Sequence, residues 1–139
     1  MRVLLDTNVI LDLFLDRAPF ADAATLWLAH EREQLSAYIA AITPINLFYI
    51  ARKLKGEETA RKAVVELLAA LNVCALDHGA LSSALSLSFR DYEDAVQHAA
   101  ASAAGVEAII TRNVKDYSVA TLPVFTPREF IQQYLLRQD

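Results

Sequence analysis

The sequence predicts an α/β fold: a three-layer sandwich in which a five-stranded parallel sheet is flanked by helices. Three observations carry that prediction. Short, continuous apolar runs recur along the chain, and such runs suit strands buried on both faces. Helical patterns separate consecutive runs, and strands alternating with helices form parallel sheets. The composition allows a real core: 139 residues, 55% of them hydrophobic, with only 3 Gly and 4 Pro. That is too apolar and too poor in Gly and Pro for a disordered or linker-rich chain. Residues 1–139 read as one domain, with no internal repeat, linker or low-complexity segment.

The elements follow in order. Val3-Leu4-Leu5 is the first strand, bounded by Asp6-Thr7-Asn8, and Asn8 is placed to cap a helix starting at Val9. Ala21 to Arg32 forms a second helix with apolar bulk from Ala24, Leu26, Trp27 and Leu28. Ala37-Tyr38-Ile39 is the second strand. Thr43-Pro44 then reads as a helix start, Thr as cap and Pro at the first helical position, with the helix running to Lys55 and stopped by Gly56. Ala60 to Leu71 is helical, and Val73-Cys74-Ala75-Leu76 is the third strand. Asp77 caps a helix through Leu87; Asp91 caps another from Tyr92 to Ala104, ended by Gly105. Ala108-Ile109-Ile110 is the fourth strand. Pro123-Val124-Phe125 is a fifth, at an edge because Pro cannot donate to a ladder. Thr126-Pro127-Arg128-Glu129 is a capping box opening the last helix.

Charge and special residues narrow the function. Asp and Glu number 17 against 13 Lys and Arg, a net charge of −4. That balance is a poor fit for non-specific coating of nucleic acid, which needs cations in excess. It leaves open an enzyme that handles phosphates through metal ions. The single Cys74 excludes an intrachain disulfide and reads as a buried small hydrophobe. Asp6 and Asp12 break the apolar start, so no secretory signal is expected. The uncharged stretch Ser36 to Ala51 is shorter than the ~20 residues of a spanning helix. A cytoplasmic protein without a membrane segment is the expectation.

In open parallel sheets, ligands sit beyond the carboxyl ends of the strands, where strand order reverses. The residues just after the strands are Asp6, Thr7 and Asn8; Thr43 and Asn46; Asp77 and His78; and Thr111, Arg112, Asn113 and Asp116. No Gly-rich phosphate loop occurs among them, which counts against a dinucleotide or Walker-type site. Carboxylates converging there would repel one another unless a cation joined them, and hard oxygen ligands suit Mg²⁺ or Mn²⁺. Metal-dependent phosphodiester hydrolysis is the reaction class this suggests.

Each position also has a purely structural reading. Asp91 reads as a helix cap, and Asp94, three residues later, as the acid that completes a capping box. Asn113 and Asp116 could build an Asx turn. His98, one turn after Asp94, is a minor candidate beside a packing role, and His30 is expected on a solvated face. For Asp6 the functional reading outweighs the turn reading, since a carboxylate at the end of a buried strand is costly unless paired.

At these residues the sequence resembles the PIN-domain family. Val3-Leu4-Leu5-Asp6-Thr7-Asn8-Val9-Ile10-Leu11-Asp12 is similar to its first motif, Asp91 to Ala99 to the motif supplying a later acid at Asp94, and Ile109 to Tyr117 to the last motif, with Asn113 and Asp116. Leu122 to Phe130 resembles the usual end of the domain, so the likeness covers nearly the whole chain. The resemblance implies a five-stranded parallel sheet and a metal-dependent ribonuclease like the VapC-type toxins of toxin–antitoxin pairs. It implies Asp6, Asp94 and Asp116 as catalytic metal ligands for Mg²⁺ or Mn²⁺, with Asn46 and Asn113 as weaker ones. Thr7, Asn8 and Thr111 would orient ligands and waters. Arg112, Lys115, Arg90 and Arg52 would hold the RNA, beside Lys53 and Lys55. The partners implied are an RNA substrate, a small antitoxin protein and a second copy of the chain.

One position departs from the pattern. The resemblance implies an acid in the first turn of the helix after the second strand, and this chain has Asn46 there. Asn offers a carbonyl oxygen but cannot act as an ionised base, leaving Glu93 or Asp91 to compensate. The alternative function is therefore a catalytically weakened PIN-like module that binds RNA or protein. A small phosphatase on a similar sheet is a third reading, opposed by the missing Asp-x-Asp at Asp6, where residue 8 is Asn.

Overall fold

The fold is a computed structural model, described for residues 1–136. Its strands are β1 (Arg2–Leu5), β2 (Ser36–Ala40), β3 (Asn72–Cys74), β4 (Ala108–Ile110) and β5 (Val124–Phe125). They form one sheet in the order β3-β2-β1-β4-β5, every pairing parallel. The central strand β1 pairs Leu4 with Tyr38 on one side and with Ile109 on the other. Strand order reverses there, since the chain passes from β1 outward to β3 and then crosses to β4.

The period-two alternation of a strand divides the core into two layers. Val3 and Leu5 face one side, packed with Ile10, Leu26, Leu47, Leu67 and Phe130. Leu4 faces the other, packed with Cys74, Ala100, Ala101, Ile109 and Tyr117. The first layer is covered by helices α1 (Thr7–Phe14), α2 (Phe20–Glu31), α3 (Ile42–Lys55), α4 (Glu57–Ala70) and α7 (Pro127–Phe130). On the second side lies α6 (Tyr92–Ala103), against which α5 (His78–Ala84) packs through Ala80, Ala84, Ala95, Val96 and Ala99. Small side chains at that contact let the two helices approach closely. The three-layer α/β sandwich is thus as predicted.

Several local signals hold. Asp77 caps α5 by accepting from the Ala80 N–H, and Thr126 and Glu129 make the reciprocal capping box of α7. Gly56 ends α3 with φ 90° and ψ 166°, a conformation that strains any other residue. Cys74 is buried, and burial pushes its thiol up to about 11, so it packs rather than reacts.

Other expectations are corrected. Helix α1 starts at Thr7, with Asp6 rather than Asn8 at the cap position, and the Asp6 carboxylate does not cap it. Helix α3 starts at Ile42, so Thr43 lies inside its first turn and its side chain accepts no capping hydrogen bond. Its hydroxyl meets that of Thr7 at 2.8 Å, and Pro44 still costs nothing where helical N–H groups lack partners. Helix α4 begins at Glu57, three residues early, because Gly56 serves two helices at once. Strand β3 stops at Cys74, and α5 ends at Ala84 instead of Leu87. His30 is half-buried, not solvated: its Nδ1 accepts from the Ala37 N–H at 3.0 Å and its Nε2 lies 2.7 Å from the Ala70 carbonyl. It ties α2 to β2 and to the end of α4. Among the described residues no helix is long and apolar enough to cross a membrane.

Candidate active site

The carboxyl ends of β1 and β4 deliver the predicted residues to one pocket of about 270 Å³. Its walls include Asp6, Thr7, Asn8, Asn46, Asp91, Glu93, Asp94, Asn113 and Asp116. Four elements meet there. Asp6 comes from the β1–α1 junction, Asn46 from the first turns of α3, and Asp91 to Asp94 from the start of α6. Asn113 and Asp116 come from the segment after β4, where Val114–Tyr117 forms a 3₁₀ turn. A larger hollow at the amino ends of the strands, lined by Met1, Arg2, His30 and Glu107, lacks comparable chemistry. There Arg2 and Glu107 neutralise each other at 3.7 Å.

Asp6 forms the floor of the pocket and is 4% exposed. A carboxylate that deep needs donors, and it has two. The Thr111 hydroxyl donates to Oδ2 at 2.7 Å, and Gln97 Nε2 donates to Oδ1 at 2.9 Å. Both donors have further duties. Thr111 Oγ1 accepts the Asn113 N–H at 3.1 Å, which fixes the loop after β4. The other N–H of Gln97 reaches the Tyr117 hydroxyl at 3.1 Å, and that hydroxyl donates to Asp94 Oδ1 at 3.3 Å. A buried chain of hydrogen bonds thus runs Thr111–Asp6–Gln97–Tyr117–Asp94. It holds two acids from different elements at fixed separation.

Asp94 is the third residue of α6, and its N–H donates to Asp91 Oδ1 at 3.2 Å, the cap the sequence predicts. Its own carboxylate takes the Tyr117 hydroxyl instead of completing the capping box. Burial, then the charges of Asp6 and Asp91, push Asp94 up to about 7 despite the Tyr117 hydrogen bond. Glu93 is raised too, by burial and by Asp91 and Asp6, against the lowering effect of Asn46 Nδ2, which donates to Glu93 Oε1 at 2.9 Å. The same field, added to burial, drives the Tyr117 phenol upward, so its proton stays on.

The donor set is all oxygen and strongly negative. Asp6, Asp91, Glu93, Asp94 and Asp116 line the pocket, and among the described residues no Lys, Arg or His lines it with them. Burial is the main cause that raises Asp94 to about 7, and the further push from Asp6, Asp91 and Asp116 marks uncompensated negative charge. This chemistry fits a hard divalent cation of the Mg²⁺ or Mn²⁺ class. Asp6, Asp94 and Asp116 could ligate it, with carbonyl oxygens of Asn46 and Asn113 as neutral donors. As placed, no three His, Cys, Asp or Glu side chains among the described residues are close enough to share one ion. Asp94 is turned to Tyr117 and Glu93 to Asn46.

The basic residues divide. Lys115 and Arg90 are exposed and adjoin pocket residues in sequence. The exposed Arg52 lies over the rings of Phe48 and Tyr49, at 5.8 and 5.1 Å. Arg112 is engaged elsewhere: its Nε lies 2.7 Å from Asp12 Oδ2, and Arg17 Nε lies 3.4 Å from Asp12 Oδ1. Asp12 is 1% exposed; burial raises its carboxyl while the two cations lower it. His98 is structural: its Nε2 accepts the Thr121 N–H at 3.0 Å, and burial lowers its pKa.

Sequence reasoning missed Gln97, Tyr117 and the partner of Asp12. Only Gln97 carried a local signal, three residues after Asp94 and so on the same helical face.

Comparison with known proteins places these features. A family model described as "PIN domain" matches residues 2–115. No curated protein sequence matches the chain. Among solved structures, a toxin–antitoxin complex from Klebsiella pneumoniae is 28% identical, with TM-score 0.67, covering 90% of this chain and 97% of that one. VapBC2 from Rickettsia felis, bound to a promoter DNA fragment, is 16% identical, with TM-score 0.72 over 89% and 97%. VapC20 from Mycobacterium tuberculosis, a sarcin–ricin loop cleaving toxin, is 15% identical, with TM-score 0.63 over 77% and 86%.

Proposed function

The chain belongs to the PIN-domain family, and from that premise we propose that it is a metal-dependent ribonuclease, the toxin of a toxin–antitoxin pair. The observation that carries this reading is the all-oxygen, negatively charged pocket at the carboxyl end of the sheet, with Asp6 held at its floor by Gln97 and Thr111. Asp6, Asp94 and Asp116 hold Mg²⁺ or Mn²⁺, with Asn46 and Asn113 as weaker donors. Thr7, Asn8 and Thr111 orient the ligands. An ion held there would supply Lewis-acid polarisation of the phosphodiester and a bound water of lowered pKa.

The protein's own part is orientation. The Gln97 and Thr111 donors leave Asp6 few alternative rotamers, so its lone pairs are already aimed when substrate arrives. Tyr117, kept protonated, holds Asp94 beside it. An RNA phosphate entering so negative a pocket is repelled until the acids are neutralised, which couples substrate binding to the cation. Lys115, Arg90 and Arg52 supply the outlying positive charge for the backbone. The toxin assignment is supported by the solved complexes of similar fold, and the partner is a small antitoxin that blocks the site. A homodimer in the cytoplasm completes this reading.

The test is cleavage of RNA by purified protein. Mn²⁺ or Mg²⁺ sustains it, EDTA abolishes it, and Asp6→Asn lowers it by at least about a hundredfold. That substitution keeps the shape and both hydrogen bonds, because the Thr111 hydroxyl can turn to accept. Unchanged activity in Asp6→Asn sinks the assignment. One observation favours the alternative, a catalytically weakened module that binds RNA or protein: the neutral Asn46 on the pocket wall. A wild type that is inert while Asn46→Asp cleaves decides for that module.

A further inference from the structure

We infer that Glu93 is an additional carboxylate of the cation site, held toward the pocket by the side-chain amide of Asn46. The inference rests on the metal-dependent reading above and goes beyond it by adding a residue and a positioning partner. Three acids stand at the start of α6, and the structure separates their roles. Asp91 is occupied as the helix cap, accepting the Asp94 N–H at 3.2 Å. Asp94 is bound to Tyr117. Glu93 Oε1 takes its hydrogen bond from Asn46 Nδ2, at 2.9 Å, across the pocket from a different helix. Both residues of that bridge line the pocket with Asp6, Asp94, Asn113 and Asp116.

The bridge gives Asn46 a reason to be neutral. An acid at position 46 would set two carboxylates 2.9 Å apart, where like charges disfavour joint ionisation. With an amide there, one member of the pair donates and the other carries the charge. Positions 46 and 93 together bring one negative charge to that wall, and it resides on Glu93. The bridge leaves Glu93 Oε2 available to an ion. The amino end of α6 favours the charge electrostatically.

Mn²⁺ binding tests this directly, read by calorimetric titration and by quenching of the free-ion EPR signal, with no activity needed. Glu93→Gln removes charge but keeps an oxygen for Asn46 to donate to, and circular dichroism checks that it folds. The expected result is a loss of Mn²⁺ affinity of about tenfold or more in Glu93→Gln. Adding Asn46→Asp to that variant restores most of it, by returning one carboxylate to the same wall. Asp91→Asn, which keeps the cap, stays within about fivefold of wild type. If the wild type binds Mn²⁺ and Glu93→Gln binds it equally well, Glu93 is not a ligand and the functional reading survives. If the wild type binds no Mn²⁺, the functional reading falls and the inference with it.

Discussion

At the scale of single residues, the site is governed by how each acid is partnered, and Asp94 shows the consequence most directly. Its carboxyl is raised from 3.8 to about 7, first by burial and then by Asp6 and Asp91. A raised acid prefers its proton in the folded state. The stability it contributes is therefore fully present below about 3.8 and is lost as pH rises through about 7. In metal-free protein, Asp94→Asn removes that loss. The variant is expected to exceed wild type by about 1–2 kcal/mol at pH 8, after allowing for solvent screening at a half-buried group. The gap closes toward pH 4. Thermal melts in EDTA at the two pH values measure it, and equal wild-type and variant stability at pH 8 would contradict the assigned environment. Asp6 and Asp116 could be singled out from sequence because each follows a strand, where topology puts ligands, whereas Asp94 reads alone as a capping-box acid and is marked as a ligand only by the resemblance to the PIN-domain motif. Tyr117 could not be singled out, because it pairs with Gln97 across 20 positions, and Gln97 offers only its place on the Asp94 face of α6, since its pairing with Asp6 spans 91 positions. Neither pairing leaves a local pattern.

Among the elements, the link between α1 and the segment after β4 decides how well the pocket holds its shape. Asp12 projects from α1 into a dry position and is met by Arg112, one residue before Asn113. Removing one partner of a buried pair strands the other charge, which costs more than the pair is worth. Arg112→Ala is expected to destabilise by about 2–3 kcal/mol, less than the full cost of breaking a buried pair because Arg112 is partly exposed and Arg17 remains. For a domain of this size that is roughly 5–10 °C in melting temperature. Asp12→Asn combined with Arg112→Ala costs less than the two single changes summed, since neither member of the Asp12–Arg112 pair is then left facing a missing partner and only Arg17 loses its contact. Additive losses in that cycle would show the contact to be incidental. A second element-level device is Gly56, which ends α3 and opens α4. An added Cβ there meets nothing within 4 Å, so Gly56→Ala tests backbone conformation alone. It is expected to lose about 1–3 kcal/mol in urea titration, and a neutral result would discount the strain. The helix stop at Gly56 was legible because only Gly tolerates its dihedrals. The true start of α3 was not, since Thr43 carries the chemistry of a cap but turns inward to Thr7. Local propensity names the residue type, and the tertiary contact decides its use.

Across the whole molecule, charge is distributed against a simple electrostatic role. The net charge is −4, yet five of the 17 acids line one pocket. Repulsion among them is a folding cost that the strong sheet pairing and buried core offset, and a divalent cation would relieve it. Binding only to the folded state stabilises by RT ln(1 + [L]/Kd), about 2.7 kcal/mol at a hundred times Kd. At this chain length that raises the melting temperature by roughly 5–10 °C. Mn²⁺ is therefore expected to stabilise the wild type saturably at pH 7.5. NaCl at matched ionic strength, which only screens, is expected to give a smaller shift without saturation. Asp6→Asn separates site from surface. It removes one charge from the floor of the pocket and leaves the rest of the molecule unchanged, so the saturable shift should fall away while the salt effect persists. An equal Mn²⁺ shift in Asp6→Asn would mean that the ion acts on the general acidity of the chain. The pocket's excess charge would then be a property of the surface, and the case for a cation centre at the strand ends would lose its physical basis.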